Sequence, residues 1–230
     1  MSSGGSLLII DTATTRCVVA LADADGTIGL TAAWDAGYRH GETLLPAIER
    51  LLVAAAMDRR TLGGIVVGTG PGAFTGLRVG IATAKGLAHG LGRPLVGAST
   101  AEALLAAARA TTDDTRDPAS DPVLLLPAGP SDRLVVRPGV AGVLLVGGHD
   151  PELAPGEWLV AVDLADRAPT EAVLRGEAAR AGLAEALARS GVAAMAGPAH
   201  GLAEVVPDYV TLPRGVKAET GEVAWSRDPR

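Results

Sequence analysis

"LLIIDTATTRCVVALADADGTIGLTAAW", residues 7–34, is the stretch whose reading decides the fold. LLIID is a short apolar run ending on an acid, RCVVALAD and TIGLTAAW follow it, and the Asp-Gly pair of DADG marks a tight turn between the last two. Three strands joined this closely form an antiparallel meander. A dinucleotide-binding unit starts differently, with parallel strands linked through a helix.

Beyond the meander the period changes. From Glu42 to Met57, Leu44, Leu45, Ile48, Leu51, Leu52 and Ala55 fall at helical spacing, and Pro46 sits in the first turn of that expected helix. GGIVVG reads as a strand, GTGPGAFTGLRVG (68–80) as a loop entering a helix from about Gly76 to Gly90, and RPLVGA as another strand. Ser99, with Glu102 three residues on, is a capping box at the head of a third helix.

The order β-β-β-α-β-α-β-α resembles a ribonuclease-H-like lobe, two of which build the ASKHA proteins. The expected fold class is therefore α/β, two ribonuclease-H-like (ASKHA) lobes with the second one degenerate. The first lobe is expected over 1–110, a polar linker over 111–122, the degenerate lobe over 123–214 and a loose charged tail over 215–230. In the second half VLLLP, RLVVRP, GVLLVGG and WLVAVD read as strands. An alanine-rich helix from about Glu177 to Ser190, stopped by Gly191, comes next, then VAAMAG and DYVTLP.

Composition narrows the function classes. With 230 residues, 48% of them hydrophobic, the chain can bury one medium core or two small ones. A formal charge of −6 argues against bulk electrostatic attraction to nucleic acid, and 3% aromatic residues are too few for a base-stacking platform. The single cysteine, Cys17, lies in an alternating apolar run and reads as a buried thiol in a reducing compartment. MSSGGSLLII lacks a basic n-region and no stretch has bilayer length, so a cytoplasmic protein without membrane contact is expected.

Three chemical readings compete. Asp11, Thr12 and Thr14, at the end of the first strand, resemble the first phosphate loop of ASKHA kinases, in which the position of Ala13 is glycine; equally, they satisfy a strand-to-hairpin turn. GTGPGA also matches the dinucleotide fingerprint, but no Asp or Glu occurs between Arg59 and Ala101 to hold a ribose hydroxyl. The simplest role of Gly68, Gly70, Pro71 and Gly72 is a tight turn. His40, His89, His149 and His200 are too scattered to grip a metal, and His40 and His89 read as surface residues. No hydroxyl or thiol sits in a nucleophile context, so no catalytic residue is assigned.

The two helices carry a different signal. Gly76, Gly80, Ala84 and Ala88 recur every fourth residue as a smooth stripe, with Arg78, Lys85 and His89 forming a basic one. Glycine inside a helix costs about 1 kcal/mol relative to alanine, and close approach of another helix offsets that cost. The preceding helix adds Ala47, Val53, Ala54 and Met57 outside its main apolar face. Ala47, Val53, Ala54, Met57, Gly76, Arg78, Gly80, Ala84, Lys85 and Ala88 are together the candidate partner interface.

IDTAT, RHGETLLPAIERLL and, above all, GTGPGAFTGLRVGIATAKGLAHGLGRPLVGAST resemble the TsaB (YeaZ) family over about residues 7–105. VPDYVTLPR resembles the family's C-terminal Pro-x-Tyr-x-x-Arg region, whereas PAGPSDR stands in place of the usual Asp-Ala-Arg opening of the second lobe. The resemblance implies a subunit without catalysis of its own. It would pair with the transferase TsaD through the two helices and act with the ATPase TsaE in threonylcarbamoyl transfer to the adenosine beside the anticodon of tRNA (t6A biosynthesis). It further implies a homodimer when free, contact with tRNA only through the complex, and no cofactor held by this chain alone, with ATP and metal in the partners. An autonomous ATP-binding ASKHA phosphotransferase and an inactive homologue of the M22 glycoproteases are the alternative readings.

Overall fold

The computed structural model describes residues 5–37, 39–111, 120–197 and 201–209. The meander is formed by β1 (Leu7–Asp11), β2 (Arg16–Ala22) and β3 (Ile28–Asp35), paired antiparallel with Ile9 opposite Ala20 and Val19 opposite Ala32. Gly26 adopts φ +89° at the β2–β3 turn and its N–H donates to the Asp23 carbonyl, the conformation the Asp-Gly pair predicts. β4 (Gly64–Gly68) runs parallel to β1 and β5 (Leu95–Ala98) parallel to β4, which gives the sheet order β3-β2-β1-β4-β5.

Period-two alternation divides this sheet between two cores. Leu8, Ile10, Val19 and Leu21 face α1 (His40–Ala54) and α2 (Phe74–Leu91). Leu7, Ile9, Val18 and Ala20 face the opposite way, toward α3 (Thr100–Ala110) and the last long helix. A second sheet, β6 (Pro122–Pro127), β7 (Arg133–Val136), β8 (Val143–Leu145) and β9 (Trp158–Ala161), has the order β8-β7-β6-β9, with β9 parallel to β6. That order repeats the first four strands of the first lobe. In the place of a helix between the third and fourth strands stands a 3-10 turn at Val146–Gly148. The chain therefore has the α/β fold of two ribonuclease-H-like lobes, the second one reduced.

The lobes share a core. One buried cluster runs from Leu7 and Ile9 through Leu104 of α3 to Leu124 and Val160 of the second sheet. The alanine-rich stretch is not one helix over 177–190 but two, α4 (Thr170–Ala181) and α5 (Leu183–Met195), broken at Gly182. Gly191 does not stop α5. It lies inside that helix, where an added methyl would collide with Val66, so glycine is what lets α5 sit on the first sheet. Val192–Met195 accordingly belong to α5.

Other boundaries move for local reasons. α1 begins at His40, which places Pro46 inside the helix rather than in its first turn, on the exposed side. The same helix ends early because Ala56 takes φ +50° and Met57 N–H donates back to the Leu52 carbonyl, closing a left-handed terminal turn. Ser99 caps α3 through Glu102 N–H, but the Glu102 carboxylate accepts from Gly139 N–H, so half of the expected box forms. Most of the polar linker (112–119 of 111–122) and residues 210–230, including the rest of DYVTLP and the charged tail, lie outside the described residues.

Replacing Gly191 by valine forces α5 away from Val66. We expect Gly191→Val to lower the unfolding free energy by about 1–3 kcal/mol in urea titration, as overpacking of a filled core does.

Candidate functional site

The chemistry-bearing residues converge where the β1–β2 loop meets the glycine loop after β4. Asp11 ends β1 fully buried. Its carboxylate accepts from Ala13 N–H at 3.0 Å and from the Thr100 hydroxyl at 2.6 Å, and Thr100 in turn accepts from Gly70 N–H at 3.1 Å. Thr100 N–H donates to the Gly70 carbonyl. One carboxylate therefore ties together the end of β1, the loop after β4 and the head of α3.

Asp11, Thr12 and Thr14 do not form an open phosphate cradle. Thr12 donates its hydroxyl proton to the Gly76 carbonyl at 2.7 Å, Thr14 donates to the Arg16 carbonyl at 2.9 Å, and all three residues are buried. The glycine loop lies directly against residues 11–13. A methyl at Gly68 would strike the Asp11 carboxylate, one at Gly72 the Ala13 carbonyl, one at Gly76 the Thr12 carbonyl and one at Gly80 the Thr12 hydroxyl. Gly70 sits at φ +99° ahead of a cis bond to Pro71. The tight-turn residues thus take their place in a close approach between two loops of this chain.

That approach corrects the helix stripe. Gly76, Gly80, Ala84 and Ala88 are buried against the chain's own β1–β2 loop and sheet, and Ala47 is buried with them, so none of the five belongs to an outer surface. The 3.6-residue period shows which residues share a face, not which way the face looks. Val53 (74% exposed), Ala54 and Arg78 do lie outside, with Met57 and Lys85 half-buried. The outer stripe of α2 is Ala82, Gly86 and Gly90, and methyls added at the two glycines would meet open space. Between α1 and the C-terminal half of α2 lies a groove of about 610 Å³ lined by Leu45, Pro46, Leu52, Val53, Met57 and Leu87 among others.

His40 is a buried residue, not a surface one, with 5% of its area exposed. Burial holds its pKa below the usual histidine range, opposed by the Thr14 backbone. The Cys17 thiol is pushed up to about 12, chiefly by burial, with Asp11 and Asp35 adding to the effect, which makes it a poor nucleophile. Among the described residues no group of three or more His, Cys, Asp or Glu side chains is placed to hold a metal, and no helix is long and apolar enough to cross a membrane.

Asp163 and Arg180 went unassigned in the sequence. Asp163, at φ +58°, accepts from Thr15 N–H at 2.8 Å and from the Thr15 hydroxyl at 2.6 Å, and Arg180 pairs with it at 3.3 Å. This clasp joins the second lobe to the β1–β2 loop, and a contact across 148 positions leaves no local signal.

Burial raises the Asp11 pKa to about 6, against the lowering effect of the Thr100 and Ala13 hydrogen bonds and with a small contribution from Asp163. A carboxyl whose folded pKa exceeds its unfolded value binds its proton more tightly in the fold. Its contribution is fully present below about pH 4 and is lost as pH rises through about 6, a swing of about 3 kcal/mol. In urea titrations from pH 4 to pH 7, Asp11→Asn should lose this component, so wild-type stability falls relative to the variant as pH rises. A difference that stays flat over that range contradicts the assignment.

The family model described as TsaD, tRNA N6-adenosine threonylcarbamoyltransferase, matches residues 34–197. The chain is 40% identical over 95 residues (41% of this chain, 40% of the relative) to the tRNA threonylcarbamoyladenosine biosynthesis protein TsaB of Escherichia coli strain K12. It is 34% identical over 103 residues (45% of this chain, 43% of the relative) to the protein of the same name from Haemophilus influenzae. The aligned part thus spans about two-fifths of the length of these curated relatives. The solved structure of YeaZ from Pseudomonas aeruginosa superposes with a TM-score of 0.63 over 89% of this chain and 99% of that one, at 24% identity, which bears on the fold.

Proposed function

Because the chain belongs to the TsaD family of tRNA N6-adenosine threonylcarbamoyltransferases, on its TsaB/YeaZ side, we propose that it takes part in t6A biosynthesis as a non-catalytic subunit that binds and supports TsaD. The observation that carries this reading is the outer surface of α1 and α2. Val53 and Leu45 stand 74% and 53% exposed there, beside a glycine-bearing helix face with open space above it. A helical glycine that packs against nothing in its own chain costs about 1 kcal/mol, and a partner helix drawn close over it offsets that cost.

In this reading the chemistry belongs to TsaD, with TsaE acting alongside, and tRNA is reached through the complex in the cytoplasm. The same surface closes on a second copy when the partner is absent. This chain lends contact area rather than a nucleotide or metal site. The enclosed Asp11, Thr12 and Thr14 favour that role over an autonomous phosphotransferase, because their polar groups are spent on the chain itself.

Val53→Glu places a charge in the middle of the proposed contact while leaving the core untouched. Calorimetry with TsaD from the same cell should show affinity reduced at least about tenfold, or about 1.4 kcal/mol. An unchanged affinity refutes the assignment of this face, and no binding by the wild-type chain refutes the partner.

A further inference from the structure

After α5 the chain returns to the first lobe. Residues 201–209 include a 3-10 turn, Leu202–Glu204, and an extended piece that crosses the carboxyl ends of β4 and β5. In open α/β sheets, ligands enter at the carboxyl ends of parallel strands such as β4 and β5. Here the crossing segment covers them.

Among the described residues its attachments fall into two separable groups. Val205 is the one buried residue of the piece, 4% exposed, and it packs over Gly97, where an added methyl would come within 3.3 Å of it. Asp208 N–H donates to the Thr69 carbonyl at 2.7 Å, and Tyr209 pairs with Gly72. The Tyr209 hydroxyl accepts from Arg78 Nε at 2.9 Å, its ring lies 4.9 Å from Phe74, and the Arg78 guanidinium sits 3.7 Å above the Phe74 ring. One apolar plug and one aromatic–arginine latch hold the segment at opposite ends. A hollow of about 270 Å³, lined by Thr69, Gly97, Glu204, Val205 and Val206, remains beside the plug.

Val205 is the segment's one member of the buried cluster that also holds Leu8, Ile65 and Leu95, and Leu202 packs against that cluster from the preceding turn. A segment anchored in that cluster by a single valine, and otherwise by an arginine–tyrosine tie near solvent, opens at lower free energy than the sheet beneath it. We propose that residues 205–209 are a detachable strap over the crevice at the carboxyl ends of β4 and β5, and that the Tyr209–Phe74–Arg78 latch controls access to that crevice. The device acts within this chain and does not depend on the identity of a partner.

A thiol under the strap reports its opening. In Thr69→Cys, the new thiol is half-buried in the hollow beside Val205, while the native Cys17 remains buried in β2 as an internal reporter of global unfolding. Adding Tyr209→Ala should raise the rate of maleimide labelling at position 69 about tenfold, with Cys17 unlabelled on the same timescale. In the otherwise unaltered chain, Val205→Ala should raise hydrogen exchange of the Asp208 amide by a similar factor and leave β1 and β2 amides at their wild-type rates. The proposal is overturned if both measurements are unmoved by the variants. It is equally overturned if Cys17 labelling or β1 and β2 exchange accelerates by the same factor, because the segment would then open only with the whole fold.

Discussion

Four glycines, at 68, 72, 76 and 80, leave no room for side chains because residues 11–13 pass directly against them. The rest of the first lobe follows from that contact. It seats the first turns of α2 on the end of β1, lets the Thr12 hydroxyl reach the Gly76 carbonyl, and brings Gly70 within reach of Thr100 and so of Asp11. With α2 fixed this way, Ala84 and Ala88 turn inward, and Ala82, Gly86 and Gly90 turn out. The orientation of the outer surface is thus a consequence of close packing at the opposite edge of the same helix.

This packing also explains what became of the phosphate-loop pattern. A carboxylate and two hydroxyls at the end of the first strand are the right groups for holding a phosphate or its metal, but here each is enclosed and each has a partner in its own chain. Burying Asp11 carries an energetic penalty that its two donors only partly offset, which is why its pKa rises. Asp163, held in a left-handed conformation, and Arg180 close the loop from the side of the second lobe. The arrangement favours a fixed shape over an open cleft.

Much of the architecture was legible because it rests on local rules. The meander, the Asp-Gly turn at Gly26 and the Ser99 cap each follow from a few neighbouring residues. The second lobe's four strands and its lack of a helix after the third were visible in the apolar runs. The proposed interface was less legible: a stripe of small residues has the same spacing whether it packs on its own chain or on a partner, and Gly76 and Gly80 pack on Thr12 of the same chain. Gly182 and Gly191 exchanged roles for a similar reason, since only the position of Val66 shows that Gly191 is a packing residue. His40, Asp163 and the return of Val205 to the first lobe depend on distant contacts for which the sequence offers no local mark.

The outward side of α1 and α2 is the proposed contact face for a homologous transferase. Hydrogen-exchange footprinting of the chain with and without TsaD tests this most directly. Protection concentrated in residues 45–57 and 79–90, with the second sheet unchanged, is the predicted result. Protection confined to the second lobe, or no change anywhere at saturating TsaD, would contradict it.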